Sequence, residues 1–285
     1  MHGISPSRTL RDVQDPVKKG SIRALLPGLS ELWQETRGDE AIRVAVLDGP
    51  VDFQHPCFEK AHLESQEPAG QDAGASDHGT HVTSLIFGEL QAPSGAGKEI
   101  EGIAPGCSGV VIPVFRQAKD RSLRPCSQQD LAFGIAKAIE QKVHIINISG
   151  GQLTATGRGI DFLEDTVRQA ADRNILMISA AGNEGCECLH VPAALPNVLS
   201  VGALDLDGRR LTSSNWSDRL EGVMAPGALI PGAFPGGGAG PMTGTSFATP
   251  LVSGVAALLL SLQKARGLTP DPRAVRRALL EGARP

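Results

Sequence analysis

The 285-residue chain has no tyrosine, and aromatic residues make up only 4% of it. Its net charge is −4. A nucleic-acid surface needs basic side chains to neutralise phosphates and aromatic ones to stack on bases. That balance argues against a nucleic-acid partner. The first 41 residues hold no long apolar block, so neither a secretory signal nor a membrane anchor is expected there. The apolar run 247–262 is too short, and too rich in Ala, Gly and Ser, for a membrane span. It reads as a buried helix. The five cysteines are Cys57, Cys107, Cys126, Cys186 and Cys188. An odd number does not suit a fully paired secreted framework. The expectation is a cytoplasmic protein, where thiols usually stay reduced. Cys186-Glu187-Cys188 offers two sulfurs, too few to hold a metal, and the neighbouring His190 could equally line a pocket. A disulfide among these cysteines is left open, since connectivity cannot be read from sequence. No metal and no cofactor are expected.

What is present is an alternation of short apolar runs and helical patterns. Candidate strands are 43–48, 109–115, 143–149, 174–180 and 198–204. Candidate helices are 78–88, 128–141, 159–172, 246–265 and 272–281. Such alternation implies an α/β fold, a mostly parallel sheet flanked by helices on both faces. Hydrophobic residues form 41% of the chain, enough for one large domain over 42–285. Residues 1–41, with a short helix at 29–36, read as an extension packed on the outside of that domain. The segment 65–77 reads as a polar surface loop, and the glycine-rich 231–240 as a mobile one. The chain has no internal repeat, and its oligomeric state stays open.

The stretch Gly244-Thr-Ser-Phe-Ala-Thr-Pro250 carries the most chemistry. It places Ser246 at the start of the apolar helix, where unpaired N–H groups and the helix dipole favour developing negative charge. A serine alone cannot attack a carbonyl at neutral pH, because it needs a base and a group to orient that base. Asp48 closes the apolar run 43–48 and is followed by Gly49-Pro50, which puts a carboxylate at a strand's C-terminal end. His78 opens His-Gly-Thr-His, where the glycine allows a close backbone approach. One ring nitrogen of His78 could take the serine proton while the other donates to Asp48. Asn183, in Ala-Ala-Gly-Asn-Glu after the strand 174–180, could bond a tetrahedral oxyanion together with the Ser246 N–H. Singly, each has a plain reading. Asp48 could cap a turn, and His78 could be a metal ligand or a helix-start residue. The four in this order, each at a strand end or helix start, favour the joint reading.

The motifs DGPVDFQHP, HGTHV, NISGG, AAGNE and GTSFATP together resemble the subtilisin family of serine proteases over about 42–283. The order Asp48, His78, Ser246 is that of subtilisins. Asp48-Gly49-Pro50, His55-Pro56-Cys57-Phe58, and the segments 145–154, 185–196 and 235–238 are similar to the subtilases of cyanobactin maturation. That resemblance implies a ribosomal precursor peptide as substrate and partner. It also implies a substrate strand pairing along Ser149, Gly150 and Gly151, where the two glycines would leave the edge open for a ligand backbone. The first specificity pocket would be walled by Ala180, Ala181 and Gly182, with Glu184 and His190 near its floor, suiting small or polar side chains. Pro192 would follow a cis peptide. Cys57, where many subtilisins carry a calcium-binding Asp, and the carboxylate-poor loop 91–98 make that calcium site doubtful. Phe247 stands in place of the usual methionine and removes an oxidisable thioether beside Ser246.

Two intervals refine the resemblance. Only 47 residues precede Asp48, which leaves no room for a signal and a prodomain together. Macrocyclising relatives carry a helical insertion between Asp and His, whereas here Asp48 and His78 stand 30 positions apart. The expectation is hydrolysis that frees the N-terminal end of a core peptide. A general-purpose subtilisin and a catalytically silent peptide-binding module remain as alternatives.

Overall fold

Arg43–Asp48 forms β1, the strand on which the domain is built. Its side chains alternate between two cores. Val44 and Val46 join one apolar cluster, Ala45 and Leu47 another on the opposite face. A strand buried on both faces is continuously apolar, as parallel sheets covered by helices require.

The computed structural model describes residues 21–66, 74–91, 99–117, 123–124, 126–218 and 221–283. Two short helices, α1 (Ile22–Leu25) and α2 (Leu29–Glu35), precede β1. After it come β2 (His62–Ser65), α3 (Asp77–Phe87) and the small pair β3 (Glu89–Leu90) and β4 (Ile100–Glu101). β5 (Ser108–Pro113) is followed by a second small pair, β6 (Arg116–Gln117) and β7 (Leu123–Arg124). Next are α4 (Gln128–Glu140), β8 (Ile145–Ile148), α5 (Asp161–Asp172) and β9 (Leu176–Ala180). Then come β10 (Val198–Leu204), β11 (Gly222–Pro226), β12 (Ile230–Phe234) and β13 (Gly238–Met242). Two helices, α6 (Thr245–Ala265) and α7 (Pro272–Gly282), close the chain.

Seven strands make one sheet in the order β11-β10-β9-β8-β1-β5-β2, with every pairing parallel. Helices α3 and α6 supply apolar residues to the Val44/Val46 face, and α4 and α5 supply them to the Ala45/Leu47 face. This is the expected α/β architecture. All five expected strands and all six expected helices are present, with ends that match or move by one or two residues.

Within the seven-stranded sheet, the expectations miss two strands. β2 is largely exposed and β11 only partly buried. Lying at the sheet's edges, neither carries the apolar run of a central strand. The glycine-rich 231–240 is a correction. It is an antiparallel hairpin, β12 on β13, with Ile230 opposite Met242. Its glycines allow close packing. A Cβ on Gly232 would lie 2.7 Å from the His81 ring, and one on Gly240 would lie 2.8 Å from the Phe234 ring.

Before β1, Ile22 and Leu29 are buried in the same core as α6. The indole N–H of Trp33 donates to the Ile103 carbonyl at 2.8 Å, and the Arg37 guanidinium lies 3.9 Å over the Trp33 ring. Residues 1–20 lie outside the described residues, as do 67–73 of the expected surface loop and 92–98 of the calcium-loop region. Helix α6 is long and apolar enough to cross a membrane, but 83% of its most apolar stretch is buried. It is the central helix of the core.

Candidate active site

β1 ends at Asp48, whose side chain is fully buried. Two hydrogen bonds hold one carboxylate oxygen. Oδ1 accepts from the Gly49 N–H at 2.6 Å and from Nδ1 of His78 at 2.8 Å. Oδ2 is buried without a hydrogen-bond partner. Since a carboxylate can only accept, Nδ1 of His78 carries the hydrogen, and Nε2 is left with a free lone pair.

The start of α3 fixes His78. The hydroxyl of Ser76 accepts from the Gly79 N–H at 2.9 Å, an N-cap, and donates to the Pro50 carbonyl at 2.9 Å. The Ser76 N–H donates to the same carbonyl at 2.7 Å. Thus the helix carrying His78 is pinned two residues beyond Asp48. Gly79 has its own reason to be glycine: a Cβ there would lie 2.2 Å from the Gly49 carbonyl oxygen.

Ser246 lies in the first turn of α6 and is only 9% exposed, less open than a helix-start serine suggests. Phe247 links it to His78, with ring centroids 5.2 Å apart. The same phenylalanine meets His81 edge-on at 4.9 Å. Phe247 is therefore a packing residue beneath His78 as well as a substitute for a thioether. Inside the α3 core, His81 donates from Nε2 to the Gly240 carbonyl at 3.2 Å. Burial pushes its pKa down to about 4. His81 is thus neutral at pH 7 and is held as part of the core.

Asn183 stands at the end of β9 against the start of α6. Its Oδ1 accepts from the Thr245 N–H at 3.0 Å and from the Thr245 hydroxyl at 3.2 Å. An N–H donor can only face the amide oxygen, so this bond sets the orientation of the amide. Asn183 is exposed, and its Nδ2 lies beside the start of α6, 3.6 Å from a notional Cβ on Gly244. Thr245 also accepts from the Gly182 N–H at 3.3 Å. Sequence reasoning missed Thr245; the only signal was its place beside Ser246 in GTSFATP.

The expected pocket residues come together. A Cβ on Gly151 would lie 2.9 Å from the His190 Cβ, and one on Gly182 would lie 2.7 Å from the His190 ring. His190 therefore sits between the two glycine walls. Its Nε2 meets Glu184 Oε2 at 2.9 Å. Gly182 has φ +111°, a conformation that side chains disfavour. The Val191–Pro192 peptide is cis. Gly150 backs onto the Phe115 ring, 2.7 Å from a notional Cβ. Both glycines of 150–151 thus admit close neighbours from this chain, beyond the room expected for a ligand. Ser149 is buried and its hydroxyl accepts from Asn147, which in turn accepts from Ser253 of α6.

Asn215, which sequence reasoning also missed, ties the pocket together. It is fully buried. Its Oδ1 accepts from the Glu184 N–H at 2.9 Å, and its Nδ2 donates to Glu184 Oε2 at 2.6 Å. Its own N–H donates to the Gly182 carbonyl at 3.0 Å. Burial pushes the Glu184 carboxyl up, but the Asn215 hydrogen bond, His190 and the Asn183 N–H together hold it below the usual carboxylate range.

Cys186 and Cys188 are joined as a disulfide, so their sulfurs are not a metal pair. Cys57, Cys107 and Cys126 are free. Cys57 is buried, and desolvation pushes its thiol up to about 12. It is protonated at neutral pH and makes a poor ligand for hard cations. No group of three or more His, Cys, Asp or Glu placed to hold a metal occurs among the described residues.

A buried carboxylate on a strand end, a histidine bonded to it and a serine at an adjacent helix start define a subtilisin-like α/β serine-protease scaffold. The Subtilase family profile (peptidase S8) matches residues 39–284, and the chain belongs to that family. It is 31% identical to the major intracellular serine protease of Bacillus subtilis (strain 168) over 82% of this chain and 73% of that protein. It is 32% identical to the thermophilic serine proteinase of Bacillus sp. (strain AK1) over 80% of this chain, spanning about half (54%) of that relative's length. Among solved structures, the prenylagaramide maturation protease PagA superposes with a TM-score of 0.83 at 50% identity, covering 91% of this chain and 89% of that one. The patellamide maturation protease PatA gives 0.77 at 52% identity, covering 87% and 88%. The PatG macrocyclase in complex with peptide gives 0.81 at 32% identity, covering 93% and 90%.

Proposed function

We propose that the chain is a serine endopeptidase that cleaves a ribosomal precursor peptide in cyanobactin-type maturation and frees the N-terminal end of the core peptide. The observation that carries the chemistry is the 2.8 Å bond from His78 Nδ1 to buried Asp48, beside Ser246 at the start of α6. Nε2 of His78 takes the Ser246 proton as Oγ attacks the scissile carbonyl. The oxyanion is met by Asn183 Nδ2 and the Ser246 N–H. His78 then protonates the leaving amine, and water, activated by the same nitrogen, releases the acid. The likeness to PagA and PatA at 50% identity or more supports the substrate class, and the likeness to an intracellular protease supports a cytoplasmic site of action.

The pocket supports a small or polar residue before the scissile bond. The His190 ring stands between Gly151 and Gly182, where a large side chain would have to enter, and its pairing with Glu184 makes the boundary polar. The 30-residue interval from Asp48 to His78 supports hydrolysis over cyclisation, since it leaves no insertion to shield the acyl-enzyme from water. The test is incubation with a precursor peptide followed by mass spectrometry. Two linear products whose summed mass exceeds the precursor by one water are expected, and none with Ser246→Ala. A macrocycle as main product would place the chain with the cyclising enzymes.

A further inference from the structure

The chain is poor in aromatics, yet two of its eight phenylalanines stay exposed and touch each other. Phe133 on α4 is 55% exposed and Phe162 on α5 is 41% exposed, with their rings edge to face at 5.3 Å. Leu153 and Ile160, each 45% exposed, flank Gln152 and the start of α5, which Gln128 ties together. Among the described residues, these four are half of the eight large apolar side chains left exposed. A contiguous apolar patch with a polar rim marks a contact surface more often than an accident of folding.

Continuity with the substrate cleft indicates what covers it. Gly151 backs onto His190 of the pocket wall; in the proposed reading the 149–151 edge and the pocket thus hold the same side of the scissile bond, its N-terminal side. From there a chain of hydrogen bonds leads outward. Gln152 pairs with Val191, and its side-chain oxygen accepts from Gln128 Nε2 at 3.3 Å. Gln128 Oε1 accepts from the Ile160 N–H at 2.8 Å. Gln128 therefore clips the edge, the start of α4 and the start of α5 together. Phe133 lies five residues further along α4, about 7.5 Å at 1.5 Å per residue. An extended peptide leaving the edge crosses that span in about two or three residues at 3.3 Å each.

We propose that Phe133, Phe162 and Ile160 form an exosite gripping apolar side chains of the substrate about six to eight residues N-terminal to the scissile bond. The inference rests on the peptide-protease reading above and adds where recognition at a distance occurs. Apolar anchors there would lower KM while the chemistry at Ser246 stays the same, because a contact made equally in ground and transition states is uniform binding.

The experiment uses three synthetic peptides with the same four residues before a fluorogenic amide. One is short, one carries eight further N-terminal residues rich in Leu and Ile, and one carries eight Gly and Ser residues. On the wild type, the apolar extension should lower KM about tenfold relative to the other two, with kcat unchanged. Phe133→Ser/Phe162→Ser should lose that advantage and handle the short peptide like the wild type. Equal KM for both extensions on the wild type, or an advantage that survives in the double variant, overturns the exosite. Binding of the labelled extensions to Ser246→Ala, read by fluorescence anisotropy, needs no turnover. Failure of the wild type to cleave any peptide would count against the protease reading. Apolar-extension binding that does not weaken in Ser246→Ala/Phe133→Ser/Phe162→Ser would count against the surface.

Discussion

His78 Nδ1 donates to Asp48 Oδ1 across 2.8 Å, and the other oxygen of that carboxylate is buried with no hydrogen-bond partner. Asp48 therefore works on the histidine through a single oxygen, and the site depends on which tautomer that oxygen selects. In Asp48→Asn, the amide can turn its N–H₂ toward Nδ1 and favour the tautomer with hydrogen on Nε2. That tautomer cannot take the serine proton. The expected result is a fall in kcat of about 10⁴-fold, with the helical content and melting transition of the wild type. Steady-state kinetics near pH 7 read it, and a loss below tenfold would remove Asp48 from the orienting role.

Asn183 faces two ways, and two substitutions separate the faces. Its Oδ1 accepts from the Thr245 N–H, while Nδ2 is the group proposed to meet the oxyanion. Asn183→Ala should lose both. Loss of the proposed oxyanion donor should cost about 10²–10³-fold in kcat, and loss of the bond at the helix start about 0.5–2 kcal/mol of stability. Asn183→Asp keeps an oxygen for Thr245 and loses the donor. Its melting temperature should stay nearer the wild type while kcat falls as far or further. Parallel melts and Michaelis curves decide it. A rise in KM at constant kcat in either variant would assign Asn183 to ground-state binding instead.

The four central residues were legible because each closes or opens a regular element: Asp48 ends β1, His78 and Ser246 lie in the first turns of α3 and α6, and Asn183 follows β9. Asn215 had no such signal. It lies in a non-repetitive segment and acts on Glu184, 31 residues away, through bonds that only the folded chain creates. Among the strands, β1 and β10 were readable to the residue because both faces are buried and the runs are apolar throughout. β2 and β11 were not, since an edge strand shows mixed burial. The hairpin β12–β13 was misread because glycine signals both freedom and close packing. Only the His81 and Phe234 rings reveal which applies.

Gly79 tests the rigidity of the base. A methyl group there would approach the Gly49 carbonyl to 2.2 Å, and that carbonyl follows Asp48 directly. Neither backbone can move freely, because Ser76 ties the start of α3 to Pro50. Gly79→Ala should destabilise the fold by about 1–3 kcal/mol, the usual cost of overpacking. It should also lower kcat by displacing His78 from Asp48. Denaturant unfolding and kinetics on the same preparation measure both effects. An unchanged midpoint together with unchanged kcat would show that the contact is relieved without cost.

His81 makes stability depend on pH, although it lies outside the proton-transfer pair. Burial lowers its pKa to about 4 from an ordinary value of 6.5. The unfolded chain therefore binds a proton at that position between pH 6.5 and 4 while the folded chain does not. Stability rises with pH wherever the unfolded state holds more protons. The contribution of His81 is thus fully favourable above pH 6.5, shrinks as pH falls through the window, and is gone below about 4. A shift of this size corresponds to about 3 kcal/mol across the window. The ring is enclosed by Phe247, Phe234 and the Gly232 backbone, so a charge there would lie in an apolar pocket. His81→Leu removes the titration while filling most of the space. Its unfolding free energy, followed in urea from pH 7 to pH 4.5, should fall less steeply than that of the wild type. The difference should open progressively below pH 6.5. Parallel curves for the two proteins over that range would mean that His81 titrates normally in the folded state.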